Sequence, residues 1–344
     1  MKRIIAIILI LFFSIPSFSF DGLYLVAFTD PEGIRKREPL PEEIMIQEIN
    51  LCKESFYGAF YDISSIPFAK ALISAKKRGV EVLLVTDSDN FSGKAIEMIV
   101  EAGIPVVTDE RTALMHNKFA IIDKEIIWTG STNVTENCFK RNNNNSIFIK
   151  SHELAEIYRA EFEEMFIHGV FGNKKEYGAF ASVRNKYYVR LGDTNINVYF
   201  SPENNVERII DERLKKAKKS IRFMAFSFTS DKIGETMIEK YKSGVIVEGV
   251  FEKRGTKSEH SEFTKMLIEG VPVVADGNKK IMHHKVIIID DYRVITGSFN
   301  FSENADKKND ENILIIDDEA VAKIYLKEFQ RVYQRGKDGR KHGR

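Results

Sequence analysis

The chain states one pattern twice. Residues 116–133 read HNKFAIIDKEIIWTGSTN and residues 283–300 read HHKVIIIDDYRVITGSFN, so His-x-Lys, Asp and Gly-Ser-x-Asn recur at identical spacing 167 positions apart. Neither chance nor packing alone would repeat polar residues in this way. The repetition also reaches well beyond the motif, and internal repetition on this scale constrains architecture more than any local propensity does.

Each half opens with a short extended run that ends at a turn proline, LVAFTDP or NVYFSP. A helical pattern follows at 41–53 and 206–218, then an aromatic-rich strand at 56–61 and 221–228 that leads into a helix closed by Gly79 or Gly244. The strands VEVLLVTD and VIVEGVFE come next, then helices ending at Gly103 and Gly270, then IPVVTD and VPVVAD. Between these last two strands the offset grows from 165 to 167, which puts two extra residues in a loop of the later half. Each half closes with a strand (SIFIK or NILII) and a helix, AEIYRAEFEEMF matched by AKIYLKEFQRVY. The reading is an α/β protein of two tandem repeats, each a mixed β-sheet flanked by helices, related by a pseudo-twofold axis. The expected boundaries are a first repeat at 22–166, a linker at 167–194, a second repeat at 195–335 and a basic tail at 336–344. An axis of this kind brings equivalent motifs together at one seam, as an isologous dimer does.

Composition narrows the class. With 344 residues, 43% of them hydrophobic, the chain can bury a core of ordinary domain size. Lys+Arg number 51 against 50 Asp+Glu, so no bulk charge for a polyanion is present. Residues 1–19 combine Lys2 and Arg3, ten apolar residues from Ile4 to Phe13, and small residues at Ser17 and Ser19. Ten are too few for the ~20 that span a bilayer, so this segment reads as a cleaved export signal and the protein as periplasmic or secreted. An uncleaved membrane anchor is the alternative. In an oxidising compartment Cys52 and Cys138 can pair, and two buried free thiols fit the count equally well.

On an extended strand His116 and Lys118 share a face, as do His283 and Lys285. Asp123 and Asp290 have the opposite parity and are expected to fix local structure. Gly130 and Gly297 end a second strand, where glycine would let backbone approach an anion while Ser131, Ser298, Asn133 and Asn300 donate to phosphoryl oxygens. Two lysines and two asparagines would hold a phosphodiester while one imidazole attacks phosphorus and the other protonates the leaving oxygen. Metal binding is the competing chemistry, but a lysine two residues from each histidine would set an ammonium beside the ion. No metal and no cofactor is expected. Trp128 and Phe299 could stack on a base or acyl chain, although aromatic residues near strand ends are usually core.

These residues resemble the paired HKD signature of the phospholipase D superfamily, in particular its compact bacterial nuclease-like members. The resemblance implies metal-independent transesterification through a covalent phosphohistidine; compact repeats without large inserted lobes lean to a nuclease, with a phospholipase D or phosphatidyltransferase acting on phospholipids as the alternative. Peripheral membrane contact is expected if the substrate is a lipid, and no obligatory protein partner, because the duplicated chain supplies both half-sites. The resemblance also implies a glutamate 28 residues after the motif histidine that supports an imidazole. Glu311 stands there after His283, whereas Asn144 stands there after His116. Whether Glu311 serves its own histidine or crosses the seam is left open by sequence. Relatives with two motifs in one chain more often use the first histidine, which favours His116 as nucleophile and His283 as acid. The expected catalytic set is therefore His116, Lys118, Asn133, His283, Lys285, Asn300 and Glu311, supported by Asp123, Ser131, Asp290 and Ser298. The reading of another class is a binding protein that keeps the fold without the reaction. Intact motifs in both halves argue against it.

Overall fold

A computed structural model describes residues 22–35, 38–172 and 187–341. The export-signal reading and half of the expected linker, residues 173–186, lie outside these residues.

The first repeat forms a seven-stranded sheet in the order β1-β7-β6-β5-β2-β3-β4. Its strands are β1 (Tyr24–Phe28), β2 (Ser55–Phe60), β3 (Glu81–Thr86), β4 (Val106–Thr108), β5 (Lys118–Ile122), β6 (Ile126–Gly130) and β7 (Asn145–Lys150). The second repeat supplies β8 (Tyr188–Leu191), β9 (Thr194–Ser201), β10 (Ser220–Ala225), β11 (Ile246–Phe251), β12 (Val273–Ala275), β13 (Lys285–Ile289), β14 (Arg293–Gly297) and β15 (Glu311–Asp317), in the order β12-β11-β10-β13-β14-β15-β9-β8. Apart from β8, the second sheet repeats the first strand for strand. In both, parallel pairs (β2 with β3, β10 with β11) sit beside antiparallel hairpins (β5 with β6, β13 with β14), so both sheets are mixed.

Two boundaries differ from the sequence reading. The expected linker contains β8, a strand hydrogen-bonded to β9 through the turn at Gly192. The expected basic tail is helical through Lys341, because the last helix, Glu319–Lys341, runs on without a break. Polar residues on a helix already anchored by its apolar face cost too little to stop it.

The core explains why the repeats stay together. β5 and β13 are buried along their whole length, since both sheet faces are covered. One shared core takes Phe119, Ile121 and Ile147 from the first sheet and Val286, Ile288 and Leu314 from the second. Between the sheets lie two long helices, α1 (His152–His168) and α2 (Glu319–Lys341), which add Tyr158, Phe162, Tyr325 and Phe329 to that core. Each fully buried side chain of this size contributes roughly 1.5–3 kcal/mol, so the repeats could not separate without exposing a large apolar face. The outer face of each sheet has its own core beneath shorter helices. Trp128 is fully buried in the first of these, near Phe60 and Phe148, and Phe299 in the second. Both are packing residues. Cys52 and Cys138 are buried and free, so no disulfide joins them.

Candidate active site

Both motifs begin at one edge of their sheets, where β5 and β13 start and β6 and β14 end. The repeats hold this edge by equivalent backbone contacts. His116 N–H donates to Asp310 O (2.9 Å), and His283 N–H donates to Asn143 O (2.8 Å). Each histidine thus hangs from the other repeat's chain, and the two half-sites meet at one seam.

The aspartates turn away from that edge. Asp123 (φ 50°) and Lys124 (φ 58°) form the tight turn between β5 and β6, with Glu125 N–H donating to Ile122 O, and Asp290 and Asp291 do the same between β13 and β14. The Asp123 carboxylate accepts from the amides of Lys53, Glu54 and Ser55, and Asp290 from those of Lys218, Lys219 and Ser220. These donors hold both carboxyls below their ordinary value even though burial opposes them.

The glycines and serines act differently from the sequence expectation. A Cβ on Gly130 (φ 143°) would lie 2.3 Å from Asn145 O, and one on Gly297 (φ 155°) 2.1 Å from Asn312 O. Glycine is needed because a neighbouring strand passes close, not because an anion does. The serines are committed to a supporting layer: Ser131 Oγ donates to Asn144 Oδ1 (2.9 Å) and accepts from Asn145 N–H, while Ser298 Oγ donates to Glu311 Oε2 (2.6 Å) and accepts from Asn312 N–H. They are not aimed at a phosphoryl oxygen. Asn133 and Asn300 make no side-chain hydrogen bond among the described residues, and the Oδ1 of each is buried without a partner.

Across the seam the half-sites exchange support. Glu311 reaches His116, both carboxylate oxygens lying 2.8 Å from Nδ1. Asn144 reaches His283, its Oδ1 2.9 Å from Nδ1, which also faces Ser131 O at 3.0 Å. With two acceptors before it, His283 Nδ1 must carry the proton, leaving Nε2 free toward the site. Donors from Ser298 and Asn309 approach Glu311, which makes the Nδ1–H tautomer the natural one for His116 as well. The sequence left open which histidine the single carboxylate serves, and in the structure it crosses.

Electrostatics follow from crowding cations away from water. Burial lowers both imidazoles well below their ordinary value, and Lys118 and Lys285 each add to the effect on both rings. Burial brings Lys118 down to about 8, and burial with the nearby Lys118 lowers Lys285 well below its ordinary value. It pushes the Glu311 carboxyl up to about 8 against the pull of the lysines and Ser298; a cation forming on the His116 ring, whose Nδ1 lies 2.8 Å away, would draw it back to the carboxylate. The lysine ammoniums donate to the carbonyls of His116 (2.7 Å) and His283 (2.9 Å) and lie over the rings of Tyr61 and Phe226. Such a site is short of an anion.

Sequence reasoning missed several positioning residues. Asp87 Oδ2 accepts from Met115 N–H (2.9 Å) and Glu252 Oε2 from Met282 N–H (2.8 Å), one residue before each motif histidine. Burial, then the neighbouring Asp109 or Asp276, raises these acids to about 6 and about 7. Their signal was available, an acidic residue closing each of VEVLLVTD and VIVEGVFE. Tyr61 and Phe226 pack against the imidazoles, with ring centroids 4.9 and 4.6 Å apart. His284, beside the motif histidine, points instead into a buried network with Asn145 and Glu328. Among the described residues one carboxylate cluster, Glu161, Glu203 and Asp310, brings its oxygens within 4.8 Å of one another; Asp310 already accepts from Arg111 and from Gly172 N–H.

The family model described as "Cardiolipin synthase, PLD-like domain" matches residues 45–166 and again 210–333. A protein named phospholipase D from Rickettsia prowazekii is 32% identical over 158 residues, 46% of this chain and 77% of that protein. Mitochondrial cardiolipin hydrolase of Xenopus tropicalis is 31% identical over 121 residues, 35% of this chain and 58% of that one. Among solved structures, phosphatidylserine synthase from Haemophilus influenzae overlays 89% of this chain and 86% of its own with a TM-score of 0.65 at 13% identity, a likeness of fold. Two matches of one family model, each enclosing one His-x-Lys motif, assign this chain to the phospholipase D superfamily as a protein with two phospholipase D-like domains.

Proposed function

We propose that this phospholipase D-like hydrolase cleaves phosphodiesters through a phosphohistidine on His116, with His283 as general acid and base and no metal. The observation that carries the assignment is the crossed support: a carboxylate stands behind His116 and a neutral amide behind His283. A phosphorylated imidazole bears positive charge, and only His116 has an anion on its far nitrogen to stabilise it. The lone pair on His116 Nε2 forms the P–N bond while the P–O bond to the leaving group breaks, and that oxygen takes the Nε2 proton of His283 in its imidazolium form, which the bound phosphodiester anion stabilises. Water then attacks phosphorus, gives a proton to His283 and returns the electron pair to His116. Lys118, Lys285, Asn133 and Asn300 hold the phosphoryl oxygens.

For substrate we favour a nucleic-acid strand. Phospholipid is the second reading, supported by the names of the relatives. Residues 1–19 have the make-up of an export leader, so the enzyme is proposed to work outside the cytoplasm.

The test is turnover in EDTA of single-stranded DNA, plasmid, phospholipid vesicles and bis(p-nitrophenyl) phosphate, with acid-quench trapping of the phosphoenzyme. We expect a phosphoenzyme in the wild type and none in His116→Ala. A wild type inert toward every diester would favour the binding-protein reading, and activity abolished by chelator would favour metal chemistry.

A further inference from the structure

The rim of the site differs between the repeats far more than its floor does. Beside His283 three loops converge: residues 139–143, 252–261 and 276–282. They are stitched together, since Asn143 N–H donates to Ile281 O (2.8 Å), Asn278 Nδ2 to Arg141 O (3.2 Å) and Lys253 N–H to Asp276 Oδ2 (2.8 Å). The equivalent loops beside His116 are 306–310, 87–93 and 109–115. Near His283 the loops hold seven Lys and Arg against three Asp and Glu; near His116 they hold three against six.

Disposition sharpens the contrast. Two of the three acids on the His283 side, Glu252 and Asp276, are buried on backbone donors, while Arg141, Lys253, Arg254, Lys257, Lys279 and Lys280 are exposed. Among the described residues Lys253, Lys257, Lys279 and Lys280 have no carboxylate within ion-pair distance, so their charge faces solvent. On the His116 side Arg111 is tied to Asp109 and Asp310, Lys307 to Asp306, and Asp89 and Glu110 are exposed. No exposed large apolar side chain lies in the three basic loops, so the lip offers nothing to wedge into a bilayer.

We propose that this lip docks the departing side of a polynucleotide substrate. The inference rests on His116 as nucleophile. Displacement at phosphorus runs in line, so the departing oxygen leaves opposite His116, next to His283 and therefore onto the basic loops. Successive phosphates of the departing strand meet Lys253, Lys279 and Lys280, whereas the retained side meets an acidic rim that favours short or uncharged groups.

The experiment compares wild type, the triple variant Lys253→Ala/Lys279→Ala/Lys280→Ala and the mirror-lip variant Lys307→Ala/Lys308→Ala. The readouts are kcat/KM on a single-stranded oligonucleotide, on bis(p-nitrophenyl) phosphate and on anionic phospholipid vesicles, together with oligonucleotide anisotropy on His116→Ala backgrounds. The triple variant should lose tenfold or more on the oligonucleotide, mainly through KM, and its log–log salt slope should shrink by about 2. The small diester should be unaffected and the mirror variant near wild type. Extending the oligonucleotide on the side released as the alcohol should raise kcat/KM; extending the other side should not. Equal losses from both lips, or loss confined to vesicles, would overturn the proposal, the latter assigning the lip to a membrane surface. Anisotropy separates the two readings: an unchanged Kd in the triple variant sinks the lip, and a wild type inert toward every diester sinks the chemistry alone.

Discussion

The half-site around His116 and the half-site around His283 are built from the same devices. Each has an aspartate capping a strand start, a glycine under a crossing strand, a serine bracing the residue behind the imidazole, and an acid holding the amide before the histidine. Directly behind the imidazoles they differ in Glu311 against Asn144, and above them in the charge of the loops. An isologous dimer of identical chains must put the same group on both sides. A fused pair need not, and here the parts that shape the backbone are kept alike while the parts that set charge have diverged. The two histidines are equivalent in position and unequal in chemistry.

The comparison is most sharply broken by removing each histidine in turn. His116→Ala should lower kcat on the order of 10⁴-fold or more for every diester. His283→Ala should cost roughly 10²–10⁴-fold for an alkoxide leaving group and much less for p-nitrophenolate, which needs no proton. Equal leaving-group dependence in the two variants would defeat the assignment.

Next in size is the exchange of supports. Glu311→Gln should reduce kcat by about 10²–10⁴-fold through loss of the charge behind His116. Asn144→Glu places an anion behind His283, whose proton affinity is now held below the ordinary 6.5 by burial and Lys285. An acid works only while protonated, so raising its pKa moves the descending limb of the kcat/KM–pH profile to higher pH, by about 1–3 units. A limb that stays in place would show that His283 is not the acid.

The smallest effects concern the shared scaffold and should be symmetric. Gly130→Ala and Gly297→Ala should each destabilise the fold by about 1–3 kcal/mol, read by thermal unfolding, because each Cβ would meet a strand carbonyl. Asp123→Asn and Asp290→Asn should each cost about 1–2 kcal/mol while leaving activity nearly intact. Both carboxyls lie below their ordinary value in the fold, so their contribution is present above about pH 3.8 and is lost as pH falls further; the variants should flatten that acid limb.

Much of this was legible in the residues, for identifiable reasons. Repetition exposed the architecture because duplicated spacing survives where propensity is ambiguous, and the parity of His116 with Lys118 and of Asp123 against them follows from the pleat. The serines and glycines were misread because a side chain's partner depends on which strand crosses it, and Asn145 and Asn312 lie on strands joined only by folding. The basic lip was invisible in a balanced total of 51 against 50, since its cations come from three short segments, one of them more than a hundred residues from the other two.

By itself the sequence determined the duplicated α/β plan, the residue types of the two motifs and their pairing, because periodicity and spacing are properties of a line. Only the tertiary structure decided that Glu311 serves the opposite histidine and that Asn144 answers it, because the shared apolar core brings together two edges that the chain keeps 167 residues apart.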